Sequence, residues 1–202
     1  MFKEEIETEF GSQALDFGLF YQIEYALRFE LSLGGSSIDQ FSVAYDRGRR
    51  VLSRAFNGAK RFIFIVSYFG TGSFLSNVSV FRSLKSCGLR ISRPYECWAV
   101  SKQNKETFLP DERTILAFEG TRDQVPYALW GVLAAELSVK PSLTCLVHIA
   151  APDIGILAHP YDDRGMDVIG SNLPRLKALY SEFNTLLLDY DREKMTKTVG
   201  TL

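Results

Sequence analysis

The chain has 202 residues, of which 46% are hydrophobic and 23% are charged, and its 23 basic and 24 acidic side chains leave a net charge of −1. This is the balance of an ordinary globular protein, long enough for one large domain or two small ones. The lack of a basic excess argues against a dedicated nucleic-acid binder.

Cysteine usage and the N-terminal sequence indicate a cytoplasmic protein. The three cysteines are widely spaced and include no C-x-x-C pair, so neither a disulfide framework nor a zinc site is indicated. The N-terminus is acidic and lacks the apolar stretch of a signal peptide. No apolar run approaches the ~20 residues of a membrane span. We therefore expect a protein that does not enter the membrane and requires no cofactor.

The N-terminal part of the chain predicts a strand followed by a helix. Apolar side chains occupy every odd position between residues 21 and 33, a period of two that is typical of a strand with one buried and one wetter face. The dipeptide Gly34-Gly35 ends this strand. Ser37 and Gln40 then have the spacing of a capping box, and apolar side chains recur at helical intervals over residues 41–56.

The next segment has the order of elements found in phosphate-binding sites. The apolar run Phe62–Val66 predicts a strand buried on both faces, and residues 73–86 predict a helix. Between them lies Gly70-Thr71-Gly72-Ser73, and a glycine loop between strand and helix is the layout of a phosphate cradle. The loop lacks the Gly-Lys-Ser/Thr ending and the third glycine of the known fingerprints. It is either a plain turn or a phosphate or nucleotide site that would use Arg47 or Arg50.

The second half of the chain predicts two hairpins and two helices. In chain order the elements are a hairpin of residues 95–100 and 113–119 with a long polar tip, a helix over 124–137 capped by Asp123, a buried strand over 143–149, a hairpin of 154–161 and 166–169, and a helix capped by Ser171 or Asn172. The turn Asp162–Gly165 closes the second hairpin, with its glycine where a positive φ is needed. Residues 192–202 have the composition of a polar tail.

The order of these elements predicts the fold class. Hairpins are prominent and strict βαβ alternation is absent, so we predict an α+β protein with a mostly antiparallel sheet of about seven strands and four or five packed helices. No Pro/Gly-rich linker divides the chain. Residues 1–202 are therefore predicted to form a single α+β domain, with a possible minor boundary near residue 58.

The densest group of polar side chains surrounds the second hairpin turn. It consists of His159, Tyr161, Asp162, Asp163, Arg164 and Asp167. Because side chains two apart share one face of a strand, Asp167 can lie near His159 or Tyr161 across the ladder.

Three interpretations of this group remain open. In the first, Asp162 caps the turn while Asp163 and Arg164 face water. In the second, a protein partner binds the surface formed by Tyr161, Asp162, Asp163, Arg164 and Asp167. In the third, His159, Asp162, Asp163 and Asp167 bind a metal ion, or one of these carboxylates orients His159 as a general base.

Recognised catalytic motifs are missing, so no catalytic residue is assigned. His148 lies within an apolar strand, where a hydrogen-bonded core histidine is expected. No G-x-S-x-G nucleophile elbow, H-E-x-x-H pair or EF-hand loop occurs. No cysteine lies at a predicted strand-to-helix turn.

Several segments resemble one known family. They are Tyr161-Asp162-Asp163-Arg164-Gly165-Met166-Asp167-Val168-Ile169, Leu179-Tyr180, Phe183-Asn184 and Leu188-Asp189-Tyr190-Asp191-Arg192, with Tyr25-Ala26-Leu27-Arg28-Phe29-Glu30-Leu31 and Tyr45-Asp46-Arg47 nearer the N-terminus. They are similar to the signature of a bacterial family catalogued as a domain of unknown function. The resemblance spans most of the chain and implies no catalytic residues. Small α+β bacterial proteins of this kind often occur as immunity proteins beside secreted toxins, which is an analogy.

Two functions from different classes follow from these observations. The leading hypothesis is a non-enzymatic protein-binding module, a bacterial immunity protein that neutralises a cognate toxin domain, with carboxylates on the hairpin recognising a basic enzyme surface. The alternative is a metal-dependent hydrolase or nuclease centred on His159, Asp162, Asp163 and Asp167. An adjacent secreted-toxin gene would favour the first.

Overall fold

A single antiparallel sheet organises the chain. The computed structural model describes residues 1–16, 18–69, 74–101 and 112–201. Within them the strands are β1 (Ala26–Glu30), β2 (Phe62–Phe69), β3 (Tyr95–Ser101), β4 (Glu112–Gly120), β5 (Leu146–Ala151), β6 (Ile156–Pro160) and β7 (Gly165–Gly170). Their order across the sheet is β1-β7-β6-β5-β2-β4-β3, and every neighbouring pair is antiparallel. The predicted α+β class with a mostly antiparallel sheet is confirmed.

Helices cover both faces of this sheet. They are α1 (Phe2–Phe10), α2 (Leu19–Gln22), α3 (Ser37–Ala55), α4 (Phe74–Ser86), α5 (Val125–Glu136), α6 (Leu173–Glu182) and α7 (Arg192–Met195). One face packs against α3 and the end of α6, through ring contacts such as Phe56 on Phe62 and Phe183 on Phe29. The other face lies under α1 and α2, where the backbone N–H of Phe20 reaches the side chain of Asp167. We call this second face the polar face.

The central strands are formed where the apolar pattern is strongest. The predicted strand Phe62–Val66 is confirmed as the buried first part of β2. In it Phe64 is fully buried, and its ring stacks on Phe118 of β4 at a centroid distance of 5.8 Å. A Cβ on Gly120 would overlap the Phe64 ring, so this glycine allows the two strands and the ring to approach. Both predicted hairpins are also confirmed, as β3–β4 and β6–β7.

The predicted strand over residues 21–33 is too long at both ends, because β1 covers only Ala26–Glu30. Residues 19–22 form the short helix α2. Odd–even alternation fails at this end because the helical turn leaves the odd-numbered Tyr21 exposed. The turn of α2 places Phe20 over the polar face, which gives that face a covering layer.

Two predicted helix caps are displaced along the chain. Ser36, and not Ser37, caps α3, because its hydroxyl accepts the N–H of Asp39. Thr121 forms a capping box with Gln124 ahead of α5, which replaces the predicted Asp123 cap. Asn172 caps α6 by accepting the N–H of Arg175, as one of the two predicted alternatives.

The predicted polar tail is wrong. Residues 192–200 are helical, and Met195 and Val199 are fully buried. This segment and the residues just before it cover the outer edge of β1: the carbonyl of Arg28 accepts the N–H of Leu188 at 3.0 Å, and the N–H of Arg28 lies 3.2 Å from the sulfur of Met195. The spacing of four residues between Met195 and Val199 is the helical signal within an otherwise charged segment.

Other sequence expectations fall outside the described part. The glycine loop Gly70–Ser73 and nearly all of the predicted hairpin tip at 101–111 lie outside the described residues. Among the residues that are described, no helix is both long and apolar enough to cross a membrane.

Candidate functional site

The hairpin turn is held by Asp162. One carboxylate oxygen accepts the backbone N–H groups of Arg164 at 2.8 Å and of Gly165 at 3.0 Å. The other accepts two bonds from the Arg164 guanidinium, at 3.0 and 2.7 Å. The side chain of Arg164 is 79% exposed. The prediction that Asp162 caps the turn and that Arg164 faces water is therefore confirmed.

Asp163 does not face water as that interpretation expects. It is only 7% exposed, and one of its oxygens accepts the hydroxyl of Ser32 at 3.3 Å. The loop after β1 covers it, anchored by the Leu31 N–H on the Arg164 carbonyl at 2.7 Å. Local sequence cannot reveal this contact, because the loop is more than a hundred residues away in the chain.

The prediction that Gly165 adopts a positive φ is wrong. A Cβ at this position would instead overlap the phenol ring of Tyr161. The glycine is therefore required for the close approach of the Tyr161 ring, which turns towards the polar face.

Four polar side chains form a line across four adjacent strands of the polar face. Arg28 of β1 lies opposite Asp167 of β7, and Asp167 lies opposite His159 of β6. The register of β5 with β6 continues the line to His148, whose ring stacks on that of His159. We call Arg28, Asp167, His159 and His148 the polar row. The sequence placed two of these residues in the candidate cluster and missed the partnership with Arg28.

Arg28 and Asp167 form a buried, bidentate ion pair. The Nε and Nη2 atoms of Arg28 lie 2.7 and 3.0 Å from the two Asp167 oxygens, and the Phe20 N–H adds a bond at 3.2 Å. Asp167 is fully buried. Burial raises the pKa of its carboxyl, and the hydrogen bonds and charge of Arg28 oppose this. Because an arginine does not lose its proton, we infer that the pair stays ionised at neutral pH.

Aromatic rings and a second carboxylate complete the surroundings of Arg28. Its guanidinium carbon lies 5.0, 4.6 and 5.6 Å from the ring centroids of Phe20, Tyr21 and Tyr161. Its Nη1 reaches Asp191 at 3.3 Å, and the Tyr21 hydroxyl donates to the same carboxylate. Ring faces attract a cation and shield it from water. The arrangement ties segments from both ends of the chain to β1.

The two histidines of the chain form a buried stack. The ring centroids of His148 and His159 are 3.9 Å apart, with an interplanar angle of 12°. Both residues are fully covered, and no described side chain forms a hydrogen bond with either ring. The expected burial of His148 is confirmed, and the backbone of Asp16 lies within hydrogen-bonding reach of its ring.

This environment keeps both imidazoles neutral. Burial, together with the nearby charge of Arg113, lowers the pKa of His148 to about 3, with a smaller opposing effect from the backbone of Asp16. Burial, His148, Arg113 and Arg28 lower the pKa of His159 well below its usual range. Arg113 is itself buried and bonded to Asp16 at 2.8 Å. A proton on His148 would therefore meet the guanidinium of Arg113, and a proton on His159 those of Arg113 and Arg28, in a medium of low polarity.

The proposed metal set is not brought together. Asp167 is bonded to Arg28, Asp162 to the turn backbone and Asp163 to Ser32. Of the set, only His159 and Asp167 lie directly opposite each other. Within the described ranges no group of three or more His, Cys, Asp or Glu is placed to hold a metal ion.

Comparison with known proteins identifies one family. The family described as Domain of unknown function (DUF3885) matches residues 2–191, so the chain belongs to it. The matched range contains all seven strands, the polar row and Asp191. Searches of curated proteins and of solved structures found no match.

Proposed function

We propose that this member of the DUF3885 family is a non-enzymatic protein-binding module, a bacterial immunity protein that neutralises a cognate toxin domain. The observation that supports it is a set of three exposed side chains, one on the hairpin turn and two on the segment that follows β1. Leu33 is 74% exposed, Ile38 78% and Arg164 79%. We call Leu33, Ile38 and Arg164 the hairpin surface.

The hairpin surface is fixed before any partner binds. Its loop is attached to the turn through Leu31 and Ser32, and the guanidinium of Arg164 is held by Asp162. Arginine is enriched at the centres of protein interfaces, and exposed apolar side chains add surface that a partner can bury. A side chain that is already positioned loses less conformational entropy on binding.

The exposed charge at the turn is positive, whereas the sequence predicts that carboxylates of the hairpin recognise the toxin. Asp162 and Asp163 are only 9% and 7% exposed, so the charge that the turn offers to a partner is that of Arg164. The partner would therefore present an apolar recess for Leu33 and Ile38, beside a carboxylate or carbonyl oxygens. A basic partner surface would face the positive charge of Arg164 and is therefore less complementary.

The chemistry of the polar row also favours binding over catalysis. Its members are buried, and Arg28 and Asp167 use their polar atoms on each other, on Asp191 and on the backbone. A general base must reach the proton that it removes, and these groups face neighbouring residues. The alternative of a metal-dependent hydrolase gains no support from the way its four residues are placed.

Growth protection tests the proposal. Cells would express the toxin domain encoded beside this gene, with or without this chain. We expect the wild-type chain to restore growth, and Leu33→Asp combined with Arg164→Ala to lose protection at an unchanged level of folded protein. Tyr190→Asp, at another position that is 86% exposed, is the control and should protect fully. Failure of the wild-type chain to protect or to bind that domain would refute the immunity function.

A further inference from the structure

We propose that a cleft between α3 and the start of α5 binds a small phosphomonoester with an apolar body. The cleft measures about 160 Å³. Arg122 belongs to the single helical turn that leads directly into α5. The site is separate from the hairpin surface and independent of the proposed immunity function. Its lining residues are Arg49, Leu52 and Ser53 of α3 with Arg122, Val125 and Pro126, so each helical segment contributes positions i, i+3 and i+4 of one face.

The floor of the cleft selects the body of the ligand. Leu52 and Val125 are buried and present aliphatic surface, and the ring of Pro126 adds to it. An apolar cavity of ~150 Å³ is large enough to bind benzene. The cleft therefore accommodates one six-membered ring, and a substituent of that ring would lie at the mouth.

Two exposed arginines give the cleft a cationic mouth. Nη2 of Arg122 lies 3.5 Å from the carbonyl oxygen of Ser53, so this guanidinium reaches across the cleft to α3. Arg49 makes one long ion-pair contact, in which its Nη2 lies 3.7 Å from Asp46. The same carboxylate lies 3.9 Å from Nη1 of Arg50, so it is shared between two arginines. The mouth therefore keeps an excess of positive charge, and its guanidinium groups have N–H donors available for a ligand.

The charge of the lining selects a phosphomonoester. Among the described residues that line the cleft there is no Asp or Glu, and the neighbouring Asp123 is not one of them. Guanidinium groups bind phosphate oxygens with two parallel N–H bonds. A phosphomonoester carries about −1.5 to −2 charges at neutral pH, which matches two arginines better than the single charge of a carboxylate. The positive end of the α5 dipole acts in the same direction. This site uses neither the loop Gly70–Ser73 nor Arg47 or Arg50, on which the sequence-predicted phosphate site depends.

Titration of the full chain with three probes tests the proposal. Phenyl phosphate has the ring and the phosphate, inorganic phosphate lacks the ring, and benzylamine carries the opposite charge. Calorimetry or chemical-shift changes at neutral pH would give each affinity. We expect saturable binding of phenyl phosphate that weakens as salt is added, about tenfold to hundredfold weaker binding of inorganic phosphate because no ring is buried, and no binding of benzylamine. No saturable binding of phenyl phosphate, or equal binding of either other probe, would overturn the proposal.

Variants then locate the site. Arg49→Gln and Arg122→Gln should each weaken phenyl phosphate by about threefold to tenfold, as for charge-assisted hydrogen bonds at exposed positions. Ser53→Phe, at an exposed lining position, should fill the cleft and block the probe. Arg50→Gln is the matched control and should leave the affinity nearly unchanged, because Arg50 contacts the same Asp46 but does not line the cleft. Unchanged affinity in both Arg49→Gln and Arg122→Gln, or an equal loss in Arg50→Gln, would show that the probe binds elsewhere and would refute the assignment.

Discussion

Acidification should destabilise this protein well before its surface carboxylates titrate, because the stacked histidines cannot accept protons in the folded state. The unfolded chain takes up a proton on each histidine near the ordinary pKa of 6.5, whereas burial lowers the folded pKa of His148 to about 3 and that of His159 far below normal. The folded state is thus fully favoured above pH 6.5. Its stability falls as the pH drops below that value, since unfolding then absorbs protons.

The size of the effect follows from these shifts. Each histidine contributes about 1.4 kcal/mol per pH unit once the pH is below 6.5. Between pH 7.5 and pH 5 the loss is about 2 kcal/mol for each ring, or about 4 kcal/mol for the pair. Asp167 acts in the opposite direction, because burial raises the pKa of its carboxyl and the folded state then takes up a proton more readily than the unfolded chain, whereas Arg28 and Arg113 stay charged throughout.

Urea unfolding at a series of pH values, followed by tryptophan fluorescence, measures this dependence. The chain has only two histidines, so the double variant His148→Leu with His159→Leu removes the whole effect. We expect its free energy of unfolding to be nearly constant from pH 7.5 to 5, and at neutral pH to equal or exceed that of the wild type, because the cost of burying two imidazoles that bond to no described side chain is gone. An equal slope in both proteins would refute the reasoning.

Three other substitutions test the packing. Asp167→Asn should cost about 3–5 kcal/mol in urea unfolding, because it leaves the buried charge of Arg28 without its partner; a cost below about 1 kcal/mol would contradict the ion pair. Phe64→Ala should cost about 3–5 kcal/mol through lost burial and the cavity left behind, measured in the same way. Gly165→Ala should cost about 1–3 kcal/mol by displacing the Tyr161 ring, and this cost should shrink in a Tyr161→Ala background.

The sheet was largely predictable because its signals are local. Four or five consecutive apolar residues, as in Phe62–Val66, identify a strand buried on both faces without knowledge of its neighbours. The hairpin turn at Asp162–Gly165 follows from turn chemistry over four residues. Caps were misplaced by one or two residues because Ser36 and Ser37 offer the same hydroxyl. Only the backbone conformation distinguishes them.

The polar row was not predictable from local pattern. The alternation predicts that even-numbered residues between 21 and 33 face solvent, yet Arg28 is buried because α2 covers that face. Its partner Asp167 lies 139 residues further along the chain. Alternation states which side chains share a face but not which strands are neighbours. Local pattern therefore does not predict the pairing of β1 with β7, or the Arg28–Asp167 ion pair that depends on it.

The position of the ion pair explains why both ends of the chain belong to the fold. The Arg28 side chain is held by Asp167 from the sheet and by Asp191 from the C-terminal segment, and Phe20 from the N-terminal segment covers it. The backbone of Arg28, on the outer edge of β1, is bonded to Leu188 and Met195. A buried guanidinium loses stabilisation with every contact that is removed. Neither terminal segment can therefore leave the sheet without exposing both this charge and the edge of β1.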